Sequence, residues 1–85
     1  MASYYTYILQ SEKDSSYYIG YSGDPVRRLE KHNAAGKGYT ASKQPWRLVY
    51  TEEFETKTEA IQRERFLKRQ KNRGFYQRLI AENKQ

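Results

Sequence analysis

Eighty-five residues leave room for one small hydrophobic core and not two, so a single domain spanning residues 1–85 is expected. The absence of cysteine excludes disulfide staples and thiolate metal sites, zinc fingers among them. The net charge of +6 lies entirely at one end, with seven basic and seven acidic side chains in residues 1–56 against nine and three in residues 57–85. That clustering favours a polyanionic partner over a merely solubilising surface.

The N-terminus lacks a basic segment followed by an apolar stretch, and no run approaches the roughly eighteen apolar residues needed to cross a bilayer. A soluble, cytoplasmic protein that does not engage membranes is expected. Residues 4–10, Tyr-Tyr-Thr-Tyr-Ile-Leu-Gln, and 17–22, Tyr-Tyr-Ile-Gly-Tyr-Ser, are aromatic and β-branched and flank a polar stretch, so they predict a β-hairpin. Its connection holds Asp14 and serines but neither Asn-Gly nor Asp-Gly, which leaves the turn type open. Gly20 inside the second run would weaken a strand unless something needs close backbone approach there.

Asp24-Pro25 marks a helix start, because the carboxylate can accept from free N–H groups and proline at the first helical position loses no bond. This helix is predicted to run to about Asn33, followed by a loop over Ala34–Pro45 and a third strand over Trp46–Phe54. Thr56 and Glu59 have the spacing of a capping box, which opens a second helix over Lys57–Arg69. Phe75, Leu79 and Ile80 recur at helical spacing and predict a third over Asn72–Glu82. The order ββαβαα gives an α+β fold: a small three-stranded antiparallel sheet flanked by helices.

Glu64 falls between Ala60, Ile61 and Leu67 on the apolar arc of the second helix. An unpaired buried carboxylate is costly, so Glu64 must meet a cation in an ion pair, bind a metal, or stand at the lip of a cleft. Arg28 and His32 are one turn apart on the first helix, at the border of its packing face. A guanidinium there can grip phosphate, and an imidazole beside it can relay a proton. A plain surface histidine near a helix C-terminus is the competing reading. Tyr7 and Tyr18 come from neighbouring strands, where most tyrosines only cover a core.

The order Tyr5-Thr6-Tyr7, Tyr18-Ile19-Gly20, Arg28 through His32, Pro45-Trp46-Arg47-Leu48-Val49-Tyr50 and Glu64 resembles the GIY-YIG nuclease domain, in its small stand-alone bacterial form. Related domains occur in an excinuclease, in homing endonucleases and in some restriction enzymes. The resemblance implies a metal-dependent endonuclease that hydrolyses phosphodiester bonds with one divalent ion, Mg2+ or Mn2+. It further implies Tyr7 as the residue activating water, Tyr18 as the tyrosine closing the site beside it, and Arg28 as the phosphate-holding arginine. His32 would assist proton transfer and Glu64 would bind the metal. Tyr5 and Thr6 replace the glycine and isoleucine of the family's opening tripeptide, while the proposed base stays in place. Asn72 lies too close to Glu64 to match a late asparagine that some members use, and reads as a helix cap.

Nucleic acid is the expected partner, DNA ahead of RNA. Lys43, Arg47, Arg63, Lys68, Arg69, Lys71 and Arg73, together with Arg28, are the candidate contacts. Such contacts give affinity without sequence choice, so selectivity is expected to follow nucleic-acid structure or a protein partner. Two other readings fit the same chain. One is a binding module of the same fold with little turnover, using Tyr39 and Trp46 for stacking. The other is a protein-interaction module whose basic face meets an acidic protein.

Overall fold

Residues 3–83 are described by a computed structural model, and local chemistry explains where its elements start. Strands β1 (Tyr4–Ser11) and β2 (Tyr17–Ser22) form the hairpin, and β3 (Trp46–Phe54) runs antiparallel on the other side of β1. The hairpin closes through side chains. Ser11 Oγ accepts from the N–H groups of Lys13 and Asp14 at 3.1 and 3.2 Å, and Asp14 Oδ1 accepts from the Ser16 N–H at 3.0 Å. Helix α1 (Pro25–Ala34) begins where Asp24 Oδ1 accepts from the Arg27 N–H at 3.1 Å.

The segment predicted as a loop contains a one-turn helix, α2 (Tyr39–Ser42). It has no apolar periodicity to announce it, because tertiary hydrogen bonds hold it. The Trp46 indole N–H donates to the Thr40 carbonyl at 2.9 Å, and Ser11 Oγ donates to the Lys43 carbonyl at 2.7 Å. Helix α3 (Lys57–Gln70) opens on the reciprocal capping box of Thr56 and Glu59, and α4 (Arg73–Glu82) opens on Asn72, whose side chain accepts from the Phe75 N–H at 3.0 Å. The predicted α+β architecture is therefore the observed one.

With β1 central in the order β2-β1-β3, its alternation sorts two layers. Ile8 packs with Ile19, Tyr50, Leu67 and Tyr76, beneath α3 and α4. Thr6, fully buried on that face, donates to the Ala60 carbonyl at 2.7 Å and fixes the start of α3. Tyr7 and Leu9 point the other way and pack with Trp46, Tyr18, Leu29 and Leu48, beneath α1. A bulge between Ile8 and Leu9, whose partners jump from Tyr50 to Leu48, keeps both faces apolar along β3. Tyr76 pins the α3–α4 corner, donating to the Leu67 carbonyl at 2.6 Å and accepting from the Lys71 N–H at 3.2 Å.

Candidate active site

Tyr7 stands on the central strand directly opposite Gly20 on the edge strand β2, and its ring lies across that glycine. A Cβ placed on Gly20 would come within 2.7 Å of the Tyr7 hydroxyl and 2.9 Å of the ring carbon bearing it. The strand glycine is thus explained by clearance for one phenol. Tyr7 is 1% exposed, and burial, reinforced by Tyr18 and Glu64, pushes its pKa up to about 12 although the Arg28 guanidinium pulls it down. Among the described residues its hydroxyl has no hydrogen-bond acceptor.

Tyr18 pairs across the hairpin with Leu9, which makes it the diagonal neighbour of Tyr7 on the same face. The His32 ring tilts against it at 4.6 Å between centroids, and Trp46 backs both, 6.1 Å from Tyr18 and 6.4 Å from His32. Burial and the Arg28 charge hold His32 below its usual 6.5, so the imidazole is neutral at physiological pH and free to accept a proton. Arg28, one turn earlier on α1, is exposed and has no ion-pair partner among the described residues. Its charge reaches both Tyr7 and His32.

Glu64 belongs to α3 on the opposite face of the sheet, yet its carboxylate also acts on Tyr7. The link is β2, the strand over which the Tyr7 ring lies and against which α3 packs. The Glu64 side chain is 14% exposed and meets Lys68 at 3.3 Å, one turn along, whose own side chain is 57% exposed. An ion pair with so exposed a partner contributes little and yields readily to a stronger cation. No cluster of three or more His, Cys, Asp or Glu side chains exists among the described residues. A lone hard-oxygen donor suits magnesium, which keeps several waters and takes one or two carboxylates plus substrate phosphate. It does not suit zinc, which asks for three or four protein ligands.

Five predicted side chains, Tyr7, Tyr18, Arg28, His32 and Glu64, therefore act on one locality. The candidate phosphate contacts divide. Lys68, Arg69 and Lys71 are exposed at the end of α3, while Arg73 stacks over Tyr17 at 5.2 Å. Lys43 is tied to Asp14 and to the Ser16 hydroxyl, and Arg63 to Glu52 at 3.0 Å, so their charges are already matched within the protein. Arg47 pairs with Gln10 across β1 and β3, which places it on the sheet face opposite Tyr7, bonded to the Gln10 side chain at 3.2 Å. Trp46, read as a stacking residue, is 2% exposed and unavailable to a base.

Positioning residues that sequence reasoning missed lie in the 33–46 segment. Asn33 and Trp46 exchange two hydrogen bonds, at 3.0 and 2.7 Å, and the Gln44 amide donates to the carbonyls of His32 and Ala35 at 2.7 and 2.9 Å. Together they fix the end of α1 and so the direction of His32. Gln44 carries no sequence signal for this role. Cavities of about 520 and 380 Å³ open along α1, lined by residues such as Arg27, Glu30 and Val26, and neither is lined by the five candidates.

The model of the GIY-YIG catalytic domain matches residues 3–78. A UPF0213 protein of Streptococcus pneumoniae serotype 4 is 44% identical over 81 residues, covering 93% of this chain and 79% of that protein. One from Staphylococcus saprophyticus is 46% identical over 65 residues, covering 75% and 78%. Among solved structures, the solution NMR structure of a UPF0213 protein from Bacillus halodurans is similar with a TM-score of 0.57 and 38% identity, covering 93% of this chain and 83% of that one.

Proposed function

The chain belongs to the GIY-YIG catalytic-domain family, a nuclease family, and from that membership we propose that it is a metal-dependent endonuclease cleaving DNA by structure rather than by sequence. One observation carries the reading: Tyr18 from the edge strand, Arg28 from α1 and Glu64 from α3 all stand near enough to the Tyr7 phenol, which lies across Gly20, to bear on its ionisation. What sets this convergence apart from a structural cluster is Arg28, exposed and without an ion-pair partner among the described residues.

In this reading Arg28, exposed and lacking an ion-pair partner among the described residues, grips the scissile phosphate and stabilises the charge that grows on it. Tyr7 orients the attacking water; its own hydroxyl proton passes towards the neutral His32 beside Tyr18, and the phenolate so formed takes the proton of the water. Tyr18 closes the site and holds the His32 ring. A phenol near 12 is a poor base at neutral pH, so the cation chemistry around it decides the rate. A single divalent ion held by Glu64, magnesium or manganese, would supply positive charge that lowers the phenol and offsets the phosphate. Lys68, Arg69 and Lys71 track the adjoining backbone, whereas Lys43, Arg47 and Arg63 are left out because their partners or their face exclude them. The domain acts alone, in the cytoplasm, or with a protein partner that selects the substrate. Among the described residues no helix is long and apolar enough to cross a membrane.

Purified protein incubated with labelled nicked, flapped, single-stranded and duplex DNA should cut at least one of them with magnesium and none with chelator. Glu64→Ala should bind as before and cut at least about a hundredfold more slowly. Magnesium-dependent cleavage by Glu64→Ala at close to the wild-type rate would refute the assigned site. Because Glu64 is engaged by Lys68, a binding module without turnover is the second reading. Salt-sensitive DNA binding with no cleavage in magnesium or manganese would establish it.

A further inference from the structure

Tyr39 is 57% exposed, far more than a tyrosine ring needs for packing, and it opens α2, a one-turn helix whose segment is tied down through its carbonyls. The Thr40 carbonyl accepts from Trp46, the Ser42 carbonyl accepts from Lys13 Nζ at 3.1 Å, and the Lys43 carbonyl accepts from Ser11. The Pro45 carbonyl accepts from the Glu12 N–H at 2.8 Å. The hairpin turn and the start of β3 thereby clamp α2 from both sides. Lys43 Nζ, held by Asp14, sits 5.3 Å from the Tyr39 ring centroid and fixes the ring's attitude. An exposed aromatic ring held this firmly loses little side-chain entropy when a flat partner lands on it.

Its position is informative too. Tyr39 ends a row of rings that begins in the candidate site: Tyr18 and His32 at 4.6 Å, His32 and Trp46 at 6.4 Å, Trp46 and Tyr39 at 6.5 Å. Of these four, Trp46 is sealed in the core and bonded to Thr40, Tyr18 and His32 are half-buried, and Tyr39 presents the exposed ring. In a continuous duplex the base faces are covered by their neighbours, and a lateral tyrosine finds nothing to stack on. An unpaired nucleotide offers a bare face, and aromatic stacking is how proteins hold one without reading its identity.

We propose that Tyr39 is a base-stacking residue that holds an unpaired nucleotide beside the scissile linkage, making single-stranded segments of nucleic acid the substrate class of the site. The inference rests on the nuclease reading for its word "scissile", and its binding test does not. With chelator present, a single-stranded oligonucleotide carrying one fluorescent aminopurine is titrated with the protein, beside a blunt duplex of the same sequence. Wild-type protein should quench the aminopurine and bind the single strand more tightly than the duplex. Tyr39→Ala should abolish the quenching and weaken single-strand binding between about fivefold and a hundredfold, leaving duplex binding within about twofold. Tyr39→Phe, which keeps the ring, should behave as wild type.

Failure of the wild-type protein to bind or quench the single strand overturns the proposal, as does a Tyr39→Ala protein that binds it normally. Equal loss on both substrates also overturns it, because it would mark a structural role. Wild-type stacking without any cleavage in magnesium would keep this inference and sink the nuclease. Magnesium-dependent cleavage indifferent to Tyr39→Ala would do the reverse.

Discussion

Tyr7 and Tyr50 are both sheet tyrosines, 1% and 6% exposed, and burial raises the pKa of each, yet they lie in opposite kinds of surroundings. The Tyr50 hydroxyl donates to Glu52 at 2.8 Å, and the same carboxylate oxygen accepts from Arg63 at 3.0 Å, so every charge in that cluster has its partner. Tyr7 finds no acceptor among the described residues, although Arg28, Tyr18 and Glu64 all act on it. A closed polar cluster stabilises a fold because nothing in it asks for more. One left open has donors and acceptors that a substrate or an ion can complete, and the fold must tolerate its cost.

The two phenols should separate sharply when each is replaced by phenylalanine. Tyr7→Phe is expected to lower the cleavage rate by about a hundredfold to ten-thousandfold, the usual worth of a positioned proton-transfer group, with little change in thermal stability. Tyr50→Phe should keep the rate within about threefold and lose on the order of 1 kcal/mol of stability, because Glu52 loses a buried donor. Cleavage kinetics and urea unfolding on the same samples check both. Equal activity of the two variants would erase the distinction between the clusters.

Gly20→Ala sharpens the comparison without touching any ionisable group. The added methyl meets the Tyr7 hydroxyl at 2.7 Å, so the ring must swing, and Gly20 has an ordinary backbone conformation that alanine adopts freely. A displacement near 1 Å at a reacting group costs about a hundredfold in rate, and overpacking costs about 1–3 kcal/mol in stability. Gly36→Ala, with nothing within 4 Å of the new methyl, is the matched control and should change neither. A Gly20→Ala enzyme at full rate would mean that the position of Tyr7 does not matter.

Most of the frame was legible in the residues themselves. Asp24-Pro25, the Thr56/Glu59 box and the aromatic runs each act within a few positions, so local chemistry set those boundaries to within a residue or two. Glu64 on an apolar arc and Gly20 in a strand were legible as anomalies, because each breaks a periodic rule. The partner that explains Gly20 lies across the hairpin and was not. Helix α2 and Gln44 escaped for the same reason: their hydrogen bonds run to Trp46, Ser11, His32 and Ala35, and nothing in a linear pattern of glycine and polar residues reports them. Lys43 and Arg63 read as free cations, since a chain of letters shows a charge and hides its counter-charge, and Arg47 read as a site contact because the letters hide which face of the sheet it takes.

The smallest expected effect falls on α3, where Arg63 and Lys68 both hold a carboxylate. Arg63 joins the closed cluster around Glu52 and Tyr50, and Arg63→Met should cost about 1–2 kcal/mol of stability while leaving the metal dependence of cleavage alone. Among the described residues Lys68 pairs with Glu64 alone, its side chain is 57% exposed, and pairs of this kind contribute about 0.3–0.5 kcal/mol. Lys68→Met should therefore leave unfolding almost unchanged. It also removes a positive charge that competes with a divalent ion for the same oxygens, so the magnesium concentration giving half-maximal cleavage should fall about two- to fivefold, a shift of under 1 kcal/mol in metal affinity. If instead that concentration rose, Lys68 would be holding Glu64 in a geometry the ion needs. The lysine would then belong with the closed cluster, and the contrast drawn between Tyr7 and Tyr50 would stop at the sheet.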